Sequence, residues 1–141
     1  AFNLIPHIDV FKENGYTKEE MKMVLETKKI MGDDAMKITA TTVRVPVLRS
    51  HSESLIIETK EKLDIDDVKK ALADFDGVVL EDDPENNVYP MPFFRAEKDD
   101  VSVGRVREDL SSDTGINLWV VGDQILKGAA LNAVQIAEYL V

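Results

Sequence analysis

The sequence predicts an α+β domain with a largely antiparallel sheet. Three observations carry this. Strand-like runs follow one another with few helices between them. Two segments have helical spacing of apolar residues, and the stretches at 101–109 and 116–121 alternate or are continuously apolar and branched.

Residues 2–15 are irregular, punctuated by Pro6 and Gly15. A helix opens at Thr17, which has capping-box spacing to Glu20. Met21, Val24, Leu25, Lys28 and Met31 mark one mostly apolar face, and Gly32 stops the helix. Residues 37–47 and 53–59 read as strands. In the first, Val43, Val45 and Val47 alternate with Thr42, Arg44 and Pro46, so Arg44 projects opposite the valines. His51 falls just beyond, where a turn is expected. A second helix spans 65–75, with Asp64 as N-cap and Ile65, Val68, Leu72 and Phe75 as its buried stripe. Gly77 ends it, and residues 78–80 begin another strand. EDDPENN reads as an acidic turn, and the prolines of YPMPF make 88–94 extended but not a central strand. VSVGRVRED alternates as a strand. INLWVV is nearly all apolar, as in a strand covered on both faces. Residues 124–140 read as a helix with apolar residues on more than one side.

Length and composition fit one domain over residues 1–141, with a core of its own. The formal charge of −10 argues against a sequence-independent grip on nucleic acid and against anionic membrane surfaces. No apolar run approaches a membrane span and no signal peptide is visible. The chain has no cysteine, which excludes disulfides, thiolate metal sites and a cysteine nucleophile among these residues. That composition fits a cytoplasmic setting. The start, AFNLIPHID, lacks a methionine and reads as the beginning of a fragment.

Four constellations stand out, the first three with a chemical reading beside a structural one. Arg44 with His51 is either a carboxylate clamp beside a general acid/base, or a paired arginine and a surface histidine. Glu19, Glu20 and Lys22 stand together in TKEEMKM; Glu19 and Lys22 share a helix face, as a plain salt pair or as a carboxylate and an ammonium for a zwitterionic or phosphorylated ligand. Arg105 and Arg107 share a strand face, as sheet-surface pairing or as a second anion site. Gly122-Asp123-Gln124 reads as a turn into a helix capped by Asp123, and no phosphate-loop pattern is present. The only histidines, His7 and His51, lie far apart, and nothing has metal-ligand spacing.

The ordered phrases NLIPHID, GYTKEEMKM with ETKKIM, ATTVRVPV followed by HSES, YPMP, VGRVRED, and GDQ with KGAALNAVQIAE cover nearly the whole chain. Together they resemble the C-terminal, substrate-binding and dimerisation domain of aspartate-semialdehyde dehydrogenases. The resemblance implies a mixed, mainly antiparallel sheet with helices on one face, like the C-terminal domain of glyceraldehyde-3-phosphate dehydrogenases. The other face would pack in a homodimer.

The implied activity is reductive dephosphorylation of 4-phospho-L-aspartate to L-aspartate 4-semialdehyde with NADPH, serving lysine, diaminopimelate, methionine and threonine biosynthesis. The resemblance makes Arg44 the grip on the substrate α-carboxylate and His51 the acid/base. Glu19 becomes the partner of the amino group and Lys22 the cation near the phosphate. Gln124 becomes a residue touching the nicotinamide cofactor. It assigns no metal. The family's cysteine nucleophile and its Gly-rich nucleotide-binding domain are expected before residue 1. The fragment alone is therefore expected to be inactive and not to bind NADP tightly. The 124–140 helix is expected to pack on that missing domain. The alternative is a non-enzymatic dimerisation or binding module that kept the fold.

Overall fold

The computed structural model describes residues 2–141, which form two compact units, one up to Pro46 and one over Val47–Val141.

In the first unit the main element is α1, Lys18–Met31. Thr17 Oγ1 accepts the Glu20 amide at 3.2 Å, and Glu20 Oε2 accepts the Thr17 amide at 2.8 Å, the expected capping box. Gly32 closes the helix at φ 66°, a left-handed conformation that glycine adopts without steric cost. Acidic residues open the helix and Lys28 and Lys29 end it, which suits the helix dipole. The expected apolar face is only partly covered. Met21, Val24 and Lys28 are half-buried, whereas Leu25 and Met31 are exposed, because among the described residues no strand of this unit packs on the helix.

The strand expected over 37–47 does not form. Arg44 makes one antiparallel bridge to Ile5, with amide–carbonyl distances of 2.8 and 3.1 Å. In an antiparallel ladder the next hydrogen-bonded pairs would be Asn3–Pro46 and His7–Thr42. Pro46 has no N–H to give. The Thr42 amide is already committed to Glu20 Oε1 at 2.9 Å. The ladder therefore stops at one bridge.

The second unit holds β1 (His51–Glu58), α2 (Ile65–Ala73), β2 (Val78–Leu80), α3 (Pro92–Arg95), β3 (Val101–Glu108), β4 (Gly115–Gly122) and α4 (Leu131–Tyr139). The sheet order is β1-β4-β3-β2, with β2–β3 parallel and the other two pairings antiparallel. His51 is not in a turn. It is the first residue of β1, because β4 continues to Gly122 and pairs with it. The turn comes one residue earlier, at Ser50, where φ is 79°.

Asp64 Oδ1 accepts the Asp66 and Asp67 amides, as a cap should. Ile65, Val68 and Leu72 of α2 pack on Val103, Val106 and Ile116 of the sheet. Phe75 lies beyond the last helical residue and stays exposed. On the opposite face Val121 is fully buried, and Trp119 Nε1 donates to the Pro90 carbonyl at 2.9 Å. The central strand β4 thus has buried residues on both faces. The segment expected to be extended over 88–94 turns into α3 at Pro92, where a helix start requires no N–H.

Two irregularities were not expected. The β3–β4 register shifts between Gly104 and Arg107, with Arg105 at φ 55°. Asp82 accepts the freed Arg105 and Val106 amides and pairs with Lys69 at 3.0 Å. Arg105 and Arg107 are both exposed, and Arg107 Nη1 donates to the Arg105 carbonyl. Among the described residues neither forms an ion pair. The final helix is also split. A π-helical turn over Leu126–Ala130 precedes α4. Among the described residues no helix is long and apolar enough to cross a membrane.

Candidate functional site

The first group of predicted residues sits in the first unit. Glu19 and Lys22 lie on the first turns of α1, their side chains 3.2 Å apart and partly exposed. Hydrogen bonding to Glu19 and its charge raise the Lys22 ammonium above the usual lysine range. Arg44 has its backbone pinned to Ile5 and its side chain exposed, and among the described residues no ion pair uses it.

Glu20, expected in the cap and beside Glu19 and Lys22 but not as a link to another segment, ties these residues together. One carboxylate oxygen holds the Thr17 amide. The other accepts the Thr42 amide, with the Thr42 hydroxyl at 3.4 Å. The helix turn bearing Glu19 and Lys22 is thereby fastened to the segment that carries Arg44 two residues on. The amides of Thr17 and Thr42 hold the Glu20 carboxyl below its usual range, outweighing the opposite push of burial. A groove of about 320 Å³ in this unit has Glu20 in its wall, but Glu19, Lys22 and Arg44 do not line it.

The second group sits in the second unit. His51 opens β1, paired with Gly122, the last residue of β4. Asp123 and Gln124 follow directly, so His51 and Gln124 share one end of the sheet. The Asp123 side chain is fully buried. Its Oδ2 accepts the Glu97 amide at 2.7 Å and lies 2.6 Å from Arg49 Nε, an ion contact rather than a well-aimed hydrogen bond. Its Oδ1 accepts the Ile125 amide at 3.0 Å. Burial pushes the Asp123 carboxyl up, but the two amides and Arg49 outweigh it and hold it below the usual range. Gln124 Oε1 is buried and has no hydrogen-bond partner among the described residues.

Asp123 was expected only as a cap, and Arg49 was not singled out. A Gly-Asp between a strand and a helix announces a cap, but nothing in spacing predicts its arginine partner. Among the described residues no group of three His, Cys, Asp or Glu side chains could hold a metal ion. A hollow of about 80 Å³ near Gly115 is lined by none of the predicted residues.

A mixed α+β sheet of this order, with these phrases in this sequence, matches one class of domain. The chain belongs to the family described as "Semialdehyde dehydrogenase, dimerisation domain", which matches residues 1–127. The aspartate-semialdehyde dehydrogenase of Aquifex aeolicus is 52% identical over 141 residues, covering 100% of this chain and 42% of that protein. The crystal structure of aspartate semialdehyde dehydrogenase II from Vibrio cholerae, complexed with ASA, superimposes with a TM-score of 0.94 at 51% identity, over 99% of this chain and 41% of that one. The Candida albicans aspartate semialdehyde dehydrogenase with NADP gives 0.78 at 28% identity, over 98% of this chain and 44% of that one. The chain thus spans about two fifths of the length of these relatives, and the part it matches is C-terminal. The family resemblance drawn from the sequence and the expected fold class are both borne out.

Proposed function

We propose that this chain is the substrate-binding and dimerisation part of an NADP-dependent aspartate-semialdehyde dehydrogenase that works in the cytoplasm. The enzyme reduces 4-phospho-L-aspartate to L-aspartate 4-semialdehyde, on the route to lysine, diaminopimelate, methionine and threonine. The observation that carries the reading is the likeness of the whole chain to about two fifths of such an enzyme, at 52% identity, with charges present that suit this substrate.

The substrate carries a carboxylate, an ammonium and a phosphate. Arg44 offers a planar fork to the α-carboxylate, able to donate two parallel hydrogen bonds. Glu19 and Lys22 neutralise each other in the free chain at 3.2 Å. On binding they exchange partners: Glu19 takes the ammonium and Lys22 the phosphate. His51 holds and delivers the proton needed as charge builds on the acyl oxygen. The nucleophile is a cysteine outside these 141 residues, which contain none. Alone, the chain should therefore show no NADPH-dependent turnover.

The cofactor fits what Gln124 presents. Its buried, unpartnered Oε1 is an acceptor suited to the amide N–H of a nicotinamide. NADPH, when bound, supplies the two electrons that reduce the acyl group to the aldehyde. Gln124 orients that ring, and nothing else in the chain is assigned to it. The C-terminal helix presents Val134, Ile136, Tyr139 and Leu140 to the outside, apolar surface for the nucleotide-binding part to cover. The homodimer forms through the sheet face that carries Ile56, on the β1 side that the chain's own segments leave exposed.

The test is NADPH consumption by the intact enzyme with 4-phospho-L-aspartate, with semialdehyde and phosphate measured as products. Stoichiometric products support the reading. An intact enzyme that binds the substrate and makes neither overturns it.

A further inference from the structure

We infer that Asp123, acting through Arg49, is the positioning residue that fixes His51 and Gln124 relative to each other. This rests on the roles proposed for those two residues. Arg49 lies two residues before His51, and Asp123 lies between Gly122, the register partner of His51, and Gln124. One fully buried carboxylate therefore joins the segment leading into β1 to the turn leaving β4. The same carboxylate takes the Glu97 and Ile125 amides, so a third segment and the start of the last helix are bound to it as well. Its backbone carbonyl accepts the Leu126 and Lys127 amides, which fixes the path of the chain just past Gln124.

A buried charge with an opposite charge at 2.6 Å does more than cap a helix. A cap needs only an oxygen for the Ile125 amide, which asparagine also supplies. The charge is required by Arg49, whose guanidinium also reaches Glu97 Oε1 at 3.3 Å. Without it Arg49 keeps only its contact with Glu97, and the segment leading into His51 loses its tie to the turn leaving β4. Displacements near 1 Å in a reacting group cost about a hundredfold in rate. The proton carrier and the cofactor-facing amide would then move together, while the Arg44, Glu19 and Lys22 group keeps its own supports.

The test is steady-state kinetics of the intact enzyme carrying Asp123→Asn, Arg49→Met or Arg49→Lys. Expected for Asp123→Asn and Arg49→Met is a fall in kcat of about ten- to a hundredfold. KM for NADPH should rise and KM for the acyl phosphate stay near wild type. Arg49→Lys should recover most of the loss, because it restores a cation to the buried carboxylate. If Asp123→Asn does not fold, the two Arg49 variants decide. Lowered thermal stability with all three kinetic constants unchanged would overturn the inference alone. A wild-type enzyme without the dehydrogenase activity would overturn the underlying roles and the inference together.

Discussion

The Glu20 carboxylate accepts the backbone amide of Thr42 at 2.9 Å, across 22 residues of sequence. This bond turns a helix cap into a clasp between the turn bearing Glu19 and Lys22 and the segment bearing Arg44. Because the Thr17 and Thr42 amides hold the Glu20 carboxyl below its unfolded value, its ionised form favours the folded state. That contribution is present above the ordinary glutamate range and is lost as pH falls through the lower folded value. Glu20→Gln should therefore be less stable than wild type at neutral pH, with the gap closing in acid. Urea unfolding midpoints at both pH values check this. A gap that persists or widens in acid contradicts it.

Gly104 shows how closely the sheet is covered on the face away from α2. A Cβ there would collide with the Glu81 carbonyl oxygen and the Pro90 ring. Both obstacles are held, Pro90 by the Trp119 indole and Glu81 by its amide bond to the Val103 carbonyl at 2.8 Å. Gly104→Ala should destabilise by about 1–3 kcal/mol, the usual cost of overpacking. Thermal unfolding measures it, and an unchanged midpoint would mean that this cover yields freely.

Ile56 faces away from α2 on the edge strand β1 and is 65% exposed. If this face meets a second copy, Ile56→Asp buries a charge at the interface and should weaken the dimer without unfolding the chain. Sedimentation of the intact enzyme should show a shift toward monomer. An unchanged mass would place the interface elsewhere.

The sequence was legible where structure depends on near neighbours. Thr17 with Glu20, Asp64 with its following amides, and the α2 stripe all lie within a helical turn or two, and spacing alone predicts them. The strands β3 and β4 were legible from alternation and from their apolar run. Failures occurred where a distant group intervened. Glu20 takes the Thr42 amide and Pro46 offers none, so a well-patterned valine strand reduces to one bridge. Asp82 takes the amides of a bulge that period-2 reading passes over. The candidate site was legible only through the ordered family phrases. Spacing could not choose between a clamp and a salt pair for Arg44 or Glu19. It gave no hint that Arg49 would meet Asp123, since a side-chain ion pair between distant segments leaves no periodic trace.

In the proposed reaction Arg44 grips the substrate while His51 moves its proton. The most direct measurement is kcat and KM for 4-phospho-L-aspartate in the intact enzyme with Arg44→Ala and, separately, His51→Ala. His51→Ala should lower kcat by about 10²–10⁴-fold. Arg44→Ala should raise KM by about ten- to a hundredfold, the worth of a charge-assisted hydrogen bond of about 1.5–3 kcal/mol. Unchanged kcat in the first variant and unchanged KM in the second would contradict it.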